Sequence, residues 1–188
     1  DVVPVLAKAR KPRLKDRGRI PIDLVIGMPK TGSTSLQTAC INNHTALLHM
    51  GVYYPIHGMY FDEREDKLRT SGHLFLEQEN DVGWNILAAE LDALKPNKML
   101  LTAENLFFKS PAQIQRLFEA LSTIGPVTVH YVYRDFGAWL VSWYKELVTG
   151  GHRHVHNSFT EALPWLLAQY GPTSIASQVN AWQETFGP

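Results

Sequence analysis

The sequence predicts an α/β fold, three-layered, with a mainly parallel sheet flanked by helices. Three observations carry this. Short, β-branched, mostly apolar runs recur at 22–27, 98–103 and 127–133, with the length and composition of buried strands. Segments with apolar residues at helical spacing lie between and after them. Strand and helix therefore alternate, which implies right-handed crossovers that lay helices over the sheet.

Along the chain, the first element is polar. Residues 8–19, KARKPRLKDRGR, hold seven basic residues against Asp16, and Pro4, Pro12, Gly18 and Pro21 punctuate the stretch. Residues 1–21 read as an irregular basic arm, either a solvated leader or a flank that attracts anions. A single domain spans 22–188, since about 100–200 residues make one domain. Its first strand, at 22–27, is followed by a helix over 33–43, with Ser33 or Ser35 near its start. Residues 44–75 read as a long irregular segment with Gly51, Pro55, Gly58 and Gly72, and long loops are often functional. Trp84, Leu87, Ala88, Leu91 and Leu94 mark a helix over 81–95 that Pro96-Asn97 stops. The second strand is 98–103. Ser110 and Pro111 read as the N-cap and first residue of a helix to Ser122. After the third strand, Asp135 caps a helix to about Leu147, and further helices run near 158–170 and 173–186.

Composition narrows the classes. The chain has 188 residues, 45% apolar and 19% charged, and a formal net charge of zero. That is globular composition, and bulk charge gives no nucleic-acid-binding signature. One cysteine, Cys40, excludes an internal disulfide framework and a multi-cysteine zinc site, and suits a reducing, cytoplasmic setting. The chain starts at Asp1 with no visible signal peptide, which leaves a removed targeting segment open. No apolar run approaches the ~20 residues of a membrane span.

The chemistry concentrates at Gly27-Met28-Pro29-Lys30-Thr31-Gly32-Ser33-Thr34-Ser35, between the first strand and its helix. A glycine-bearing turn that opens a helix presents backbone N–H groups and the positive end of the helix dipole to an anion. Lys30 adds charge; Thr31, Ser33, Thr34 and Ser35 add hydroxyls. Gly27 and Gly32 have the spacing of the nucleotide-triphosphate loop G-x-x-x-x-G-K-[ST], but Ser33 stands where that loop needs lysine. A small-molecule kinase is thus the weaker alternative.

The run Pro-Lys-Thr-Gly-Ser-Thr-Ser-Leu-Gln at 29–37 resembles instead the 5′-phosphosulfate loop of sulfotransferases that use 3′-phosphoadenosine 5′-phosphosulfate. A second segment is similar to that family's 3′-phosphate site, an arginine at a strand end and a serine eight residues later: Arg134 and Ser142. Eight residues put the serine about two helical turns, ~12 Å, from the arginine, and an arginine fork with a hydroxyl suits phosphate. Gly51-Val52-Tyr53-Tyr54-Pro55, Ser71-Gly72-His73, Thr102-Ala103-Glu104-Asn105 and Trp182-x-x-x-Phe186-Gly187 also resemble segments of bacterial and glycan-type members.

The resemblance covers residues from about 22 to the end and implies a P-loop NTPase-like sulfotransferase fold. It implies that Lys30 stabilises the leaving oxygen, and that Thr31, Gly32, Ser33, Thr34 and Ser35 hold the 5′-phosphate. It also implies that Arg134 and Ser142 hold the 3′-phosphate. The acceptor it favours is a carbohydrate hydroxyl or amine, with no metal, nucleic acid or membrane span involved. His73 resembles the catalytic histidine of uronyl 2-O-sulfotransferases, while Glu104 follows the second strand at the edge where ligands bind. Either is a candidate base. Members of this type continue with another strand and helices, so the chain reads alternatively as a catalytically incomplete nucleotide-binding fragment. His152, His154 and His156 alternate and read as an acceptor-facing loop, with Arg153 suiting an anionic acceptor, rather than as a zinc site. Tyr53, Tyr54, His57 and Tyr60 either line the same mouth or pack.

Overall fold

Parallel strands with apolar side chains on both faces need helical cover on both faces, and the arrangement of this chain reflects that need. The computed structural model describes residues 19–57, 60–62, 67–69, 72–76, 81–151 and 158–187. The basic run at 1–18, the His152–His156 loop and Ser71 lie outside them. Four parallel strands, β1 (Ile22–Gly27), β2 (Val52–Tyr53), β5 (Lys98–Thr102) and β6 (Val127–Val132), form one sheet in the order β2-β5-β1-β6. A two-stranded antiparallel pair, β3 (Tyr60–Asp62) and β4 (Lys67–Arg69), stands apart. The helices are α1 (Ser33–Asn42), α2 (His44–His49), α3 (Asp81–Leu94), α4 (Pro111–Ser122), α5 (Phe136–Thr149), α6 (Phe159–Tyr170) and α7 (Pro172–Phe186).

Register sorts side chains between the faces, because successive residues of a strand point to opposite sides. Ile22, Leu24 and Ile26 pair with Val127, Val129 and Tyr131, and Ile22 and Leu24 pair with Met99 and Leu101. This face packs with Leu87 and Leu91 of α3, Ile114, Leu117 and Leu121 of α4, and Trp182 of α7. The opposite face carries Asp23, Val25 and Gly27, with Thr102 and Val132 in register. There α1 covers the carboxyl half of the strands: Leu36 and Gln37 share a crevice with Val25, Gly27 and Thr102. Toward the other half, Asp23 joins three strands, with Oδ2 2.5 Å from Lys98 Nζ and Oδ1 3.0 Å from His130 Nε2. Burial alone would raise the Asp23 pKa; the hydrogen bonds from Lys98 and His130 outweigh it and hold the carboxyl below its usual range.

Caps define the helices that reach the site. Ser110 accepts from Gln113 N, and the Gln113 side chain accepts from Ser110 N, a capping box with Pro111 behind it. Asp135 Oδ1 accepts from Ala138 N at 2.9 Å and starts α5 directly after β6. The first helix starts at Ser33, as expected, with Gly32 as its N-cap and no side-chain cap hydrogen bond. One expectation changes. The segment 44–75 is not irregular throughout: it contains α2, the short edge strand β2 and the β3–β4 pair. Six-, two- and three-residue elements are too short to show a period in sequence.

A second apolar cluster lies beyond the carboxyl ends of the strands. Met28, Phe107, Trp139, Leu140, Leu147, Ala162 and Leu166 tie the turn after β1 to α5 and α6. This cluster positions the site.

Two substitutions separate these contributions in chemical denaturation. Leu101→Ala, in a fully buried position, is expected to cost about 2–5 kcal/mol. Ser110→Ala is expected to cost about 1 kcal/mol. A loss below ~0.5 kcal/mol for Leu101→Ala contradicts the assigned core.

Candidate functional site

The site is built on the turn between β1 and α1. Lys30 has φ 67° and Gly32 φ 98°, so two left-handed residues flank Thr31. Left-handed backbone costs an L-residue roughly 1–2 kcal/mol, and a lysine held there marks a turn fixed by its surroundings. Gly32 is free of that cost. Thr31 Oγ1 donates to Met28 O at 2.7 Å and braces the turn from within. Gly27 is tight for a different reason. A Cβ there would lie 3.0 Å from Val132 O and 3.1 Å from Thr31 Oγ1.

The segment from β6 into α5 holds the turn from outside. Trp139 Nε1 donates to Pro29 O at 2.7 Å in a buried contact. Arg134 Nη1 donates to Lys30 O at 3.0 Å. Lys30 Nζ sits 3.1 Å from Glu146 Oε2. Trp139 and Glu146 are seven residues apart on α5, so both lie on the face toward the turn. Ser142, between them at i+3 from Trp139, shares that face and is half-buried. Both partners of the Lys30–Glu146 pair are well exposed, so the pair is weak and open to exchange.

On the other side, Ser33 Oγ donates to Glu104 Oε2 at 3.1 Å. Glu104 comes just after the end of β5 and lines the same crevice as Gly27, Ser33 and Val132. Among the described residues, the backbone N–H groups of Gly32, Ser33 and Thr34 bond to no other backbone group. They are the open donors of the first helical turn. Thr34 and Ser35 are exposed beside them.

The structure thus brings Lys30, Thr31, Gly32, Ser33, Thr34, Ser35, Glu104, Arg134 and Ser142 to one edge of the sheet. His73 is different. Its ring is fully buried, packed against Tyr54 with centroids 4.8 Å apart. Nδ1 accepts from Thr102 N at 3.0 Å and Nε2 donates to Pro55 O at 2.8 Å. Burial lowers its pKa to about 4, against the opposing effect of the backbone hydrogen bonds. With both nitrogens satisfied, the ring has no lone pair to take a substrate proton. The expected base role does not fit this geometry, and His73 is a structural tie between Pro55 and the end of β5. Tyr53 and Tyr54 are likewise buried rather than at a mouth, with Tyr54 Oη 2.9 Å from Thr102 Oγ1. Cys40 is a free, buried thiol.

Two residues that sequence reasoning did not assign complete the site. Glu146 holds the lysine, and Trp139 both packs and holds Pro29. Their signal was the i, i+3, i+7 spacing with Ser142 on one helix face. Among the described residues, no cluster of His, Cys, Asp and Glu could hold a metal ion, and no helix is long and apolar enough to cross a membrane.

No protein-family model, curated protein or solved structure matches this chain.

The buried imidazole has a measurable consequence. A group whose folded pKa is depressed below its unfolded value of ~6.5 leaves the unfolded state binding more protons between those two values. Stability from His73 is full above pH ~6.5 and is lost as the pH falls toward 4. A denaturation series over pH 4–7 is expected to show this slope, and His73→Gln to flatten it. An unchanged slope in a folded His73→Gln protein contradicts the assignment.

Proposed function

We propose that this chain is a sulfotransferase: it takes the sulfuryl group of 3′-phosphoadenosine 5′-phosphosulfate and transfers it to a hydroxyl or amine acceptor of carbohydrate type. The observation that carries the reading is the convergence of Lys30, Arg134 and the open N–H groups of Gly32–Thr34 where β1 and β6 end side by side. An adenosine bisphosphate carries two separated phosphates. The helix-start turn suits one, and Arg134 with the Ser142 face of α5 suits the other. The sheet order supports the reading too. The chain leaves β1 across β5 to reach β2, and leaves β5 across β1 to reach β6. Ligands of open α/β sheets bind at such reversals, outside the carboxyl ends of the strands. The loop is of the P-loop-like kind, with its lysine inside the turn.

When bound, the donor supplies an activated sulfuryl group on a good leaving group. The chain's part is positioning and charge stabilisation, as in phosphoryl transfer. Gly32, Ser33 and Thr34 N–H groups, with the Thr34 and Ser35 hydroxyls, hold the 5′-phosphate. Thr31 keeps the turn closed through Met28 O. Lys30 exchanges Glu146 for the bridging oxygen and stabilises the charge that grows there. Arg134 keeps one N–H on Lys30 O and offers the rest of its fork to the 3′-phosphate. Glu104 takes the acceptor proton, and the Ser33 hydroxyl orients it. The left-handed lysine gives the site a trade-off: the conformation that aims its ammonium strains the backbone.

Transfer of labelled sulfate from the donor to a panel of sugar and amino-sugar acceptors tests the reading. Lys30→Ala is expected to lower turnover by about 10²-fold or more, while Lys30→Gly loses turnover without losing stability. Arg134→Ala is expected to weaken 3′,5′-bisphosphoadenosine binding far more than adenosine 5′-phosphate binding. Equal losses for both nucleotides, or unchanged turnover in Lys30→Ala, contradict it. Magnesium-dependent ATP turnover without sulfuryl transfer makes the chain a kinase instead.

A further inference from the structure

The segment that follows β2 carries a group of titratable side chains that the proposed transfer does not use. His57 stacks on Phe75, with centroids 4.8 Å apart and planes 21° from parallel. Its Nε2 is 3.1 Å from Gly83 O of α3, and its Nδ1 is 2.7 Å from Glu90 Oε2 of the same helix. Gly83 and Glu90 are seven residues apart and share one face of α3. The ring bridges them. The His57 side chain is 12% exposed and that of Glu90 30%. Nδ1 and Oε2 themselves are buried, and their contact is short without the alignment of a full hydrogen bond.

The protons of this group can be counted. Gly83 O and a carboxylate oxygen are both acceptors, and a neutral imidazole has a single N–H. With that N–H on Nε2, the Nδ1 lone pair would point at an oxygen lone pair in a buried contact, which is repulsive. The pair therefore holds one proton more than a neutral imidazole and a carboxylate do. The other titratable groups around it, among the described residues, are Tyr53 and His73. Burial, and then its hydrogen bond to Glu90, raise the Tyr53 pKa, so Tyr53 stays a phenol that donates to the carboxylate. Burial lowers the His73 pKa to about 4, and the charge of His57 adds to that, so His73 is neutral above roughly pH 6.

Backbone contacts connect this group to the site. Two residues before His57, Pro55 O accepts from His73 Nε2 at 2.8 Å. His73 N donates to Thr102 O at 2.7 Å, and Thr102 N donates to His73 Nδ1 at 3.0 Å. Gly72 pairs with Ala103, and Glu104 is the next residue.

We propose that His57 and Glu90 form a proton-operated clasp that fastens residues 54–57 to α3. With the proton in place the clasp is closed, and Pro55 holds His73 against the end of β5. When the proton leaves to solvent, a carboxylate and an imidazole lone pair face each other, and residues 54–57 lift from α3. His73 then loses its acceptor at Pro55, and the end of β5 that carries Glu104 loosens. Histidine suits this role, because its charge changes between about pH 5 and 8. The closed form binds the proton and the open form releases it, so closure is favoured as the pH falls and opening as it rises. The clasp does not depend on the sulfotransferase reading, and its test uses no substrate.

NMR of the intact protein from about pH 6 to 9 tests it. Long-range proton–nitrogen spectra count the protons on the His57 ring, and the amides of His57, His73, Thr102 and Ala103 report the segment. The ring is expected to carry two N–H groups at the low end and one at the high end, and the four amides to shift with the same midpoint. Glu90→Gln places a carboxamide, which can donate to a bare Nδ1, against the ring. It is expected to abolish the amide step while the ring still titrates. Should this variant fold poorly, the wild-type spectra decide alone. A His57 ring with the same number of protons at both ends, a ring step without amide shifts, or an amide step that survives in folded Glu90→Gln would overturn the proposal.

Discussion

One buried hydrogen bond organises this structure's chemistry: Trp139 Nε1 to Pro29 O, at 2.7 Å. The turn after β1 carries two left-handed residues in three positions. Left alone, such a turn would relax, because a lysine gains from returning to right-handed or extended backbone. The indole fixes its first carbonyl and Arg134 fixes the next. Both donors come from the segment that leaves β6, the strand beside β1. The sheet therefore sets the turn. β1 and β6 run in parallel register to Gly27 and Val132, so the turn leaving β1 and the helix leaving β6 emerge side by side. Gly27 allows this approach, since any side chain there would crowd Val132.

The same geometry explains how charge is arranged. Lys30 is the mobile cation of the turn, and Glu146 holds it across an exposed gap. An exposed pair of this kind contributes little to stability. It keeps the ammonium close to the helix start and costs little to separate. Glu104 is kept by Ser33 at the other edge of the same turn. Cation and carboxylate are thus presented from opposite sides of one helix N-terminus. That division suits a transfer in which one group receives negative charge and another receives a proton.

Much of the fold was legible in the sequence because its signals are local and redundant. The strands at 22–27, 98–102 and 127–132 are short apolar runs between breakers. Ser110-Pro111 and Asp135 announce their helices by cap chemistry that needs only the next three residues. The tight turn after β1 was legible because Gly27 and Gly32 stand where the backbone needs them, at a close approach and at a left-handed residue. The features that stayed hidden depend on distant partners. The His73 ring is satisfied by backbone 18 and 29 residues away, and nothing in Gly72-His73-Leu74 announces that. Glu146 meets Lys30 across 116 residues. Gly32 caps α1 with a left-handed backbone and no side-chain hydrogen bond, a conformation that composition alone does not announce.

The proposed reaction needs the turn at 30–35 and Arg134 to hold together one nucleotide with both 3′ and 5′ phosphates. Amide-resolved NMR titration with 3′,5′-bisphosphoadenosine, without added metal and with ATP as the comparison, tests it most directly. Saturable shifts are expected at Gly32, Ser33, Thr34 and the Arg134 side chain, with ATP much weaker at the same signals. Unmoved amides at this turn, or equal response to ATP, would contradict it.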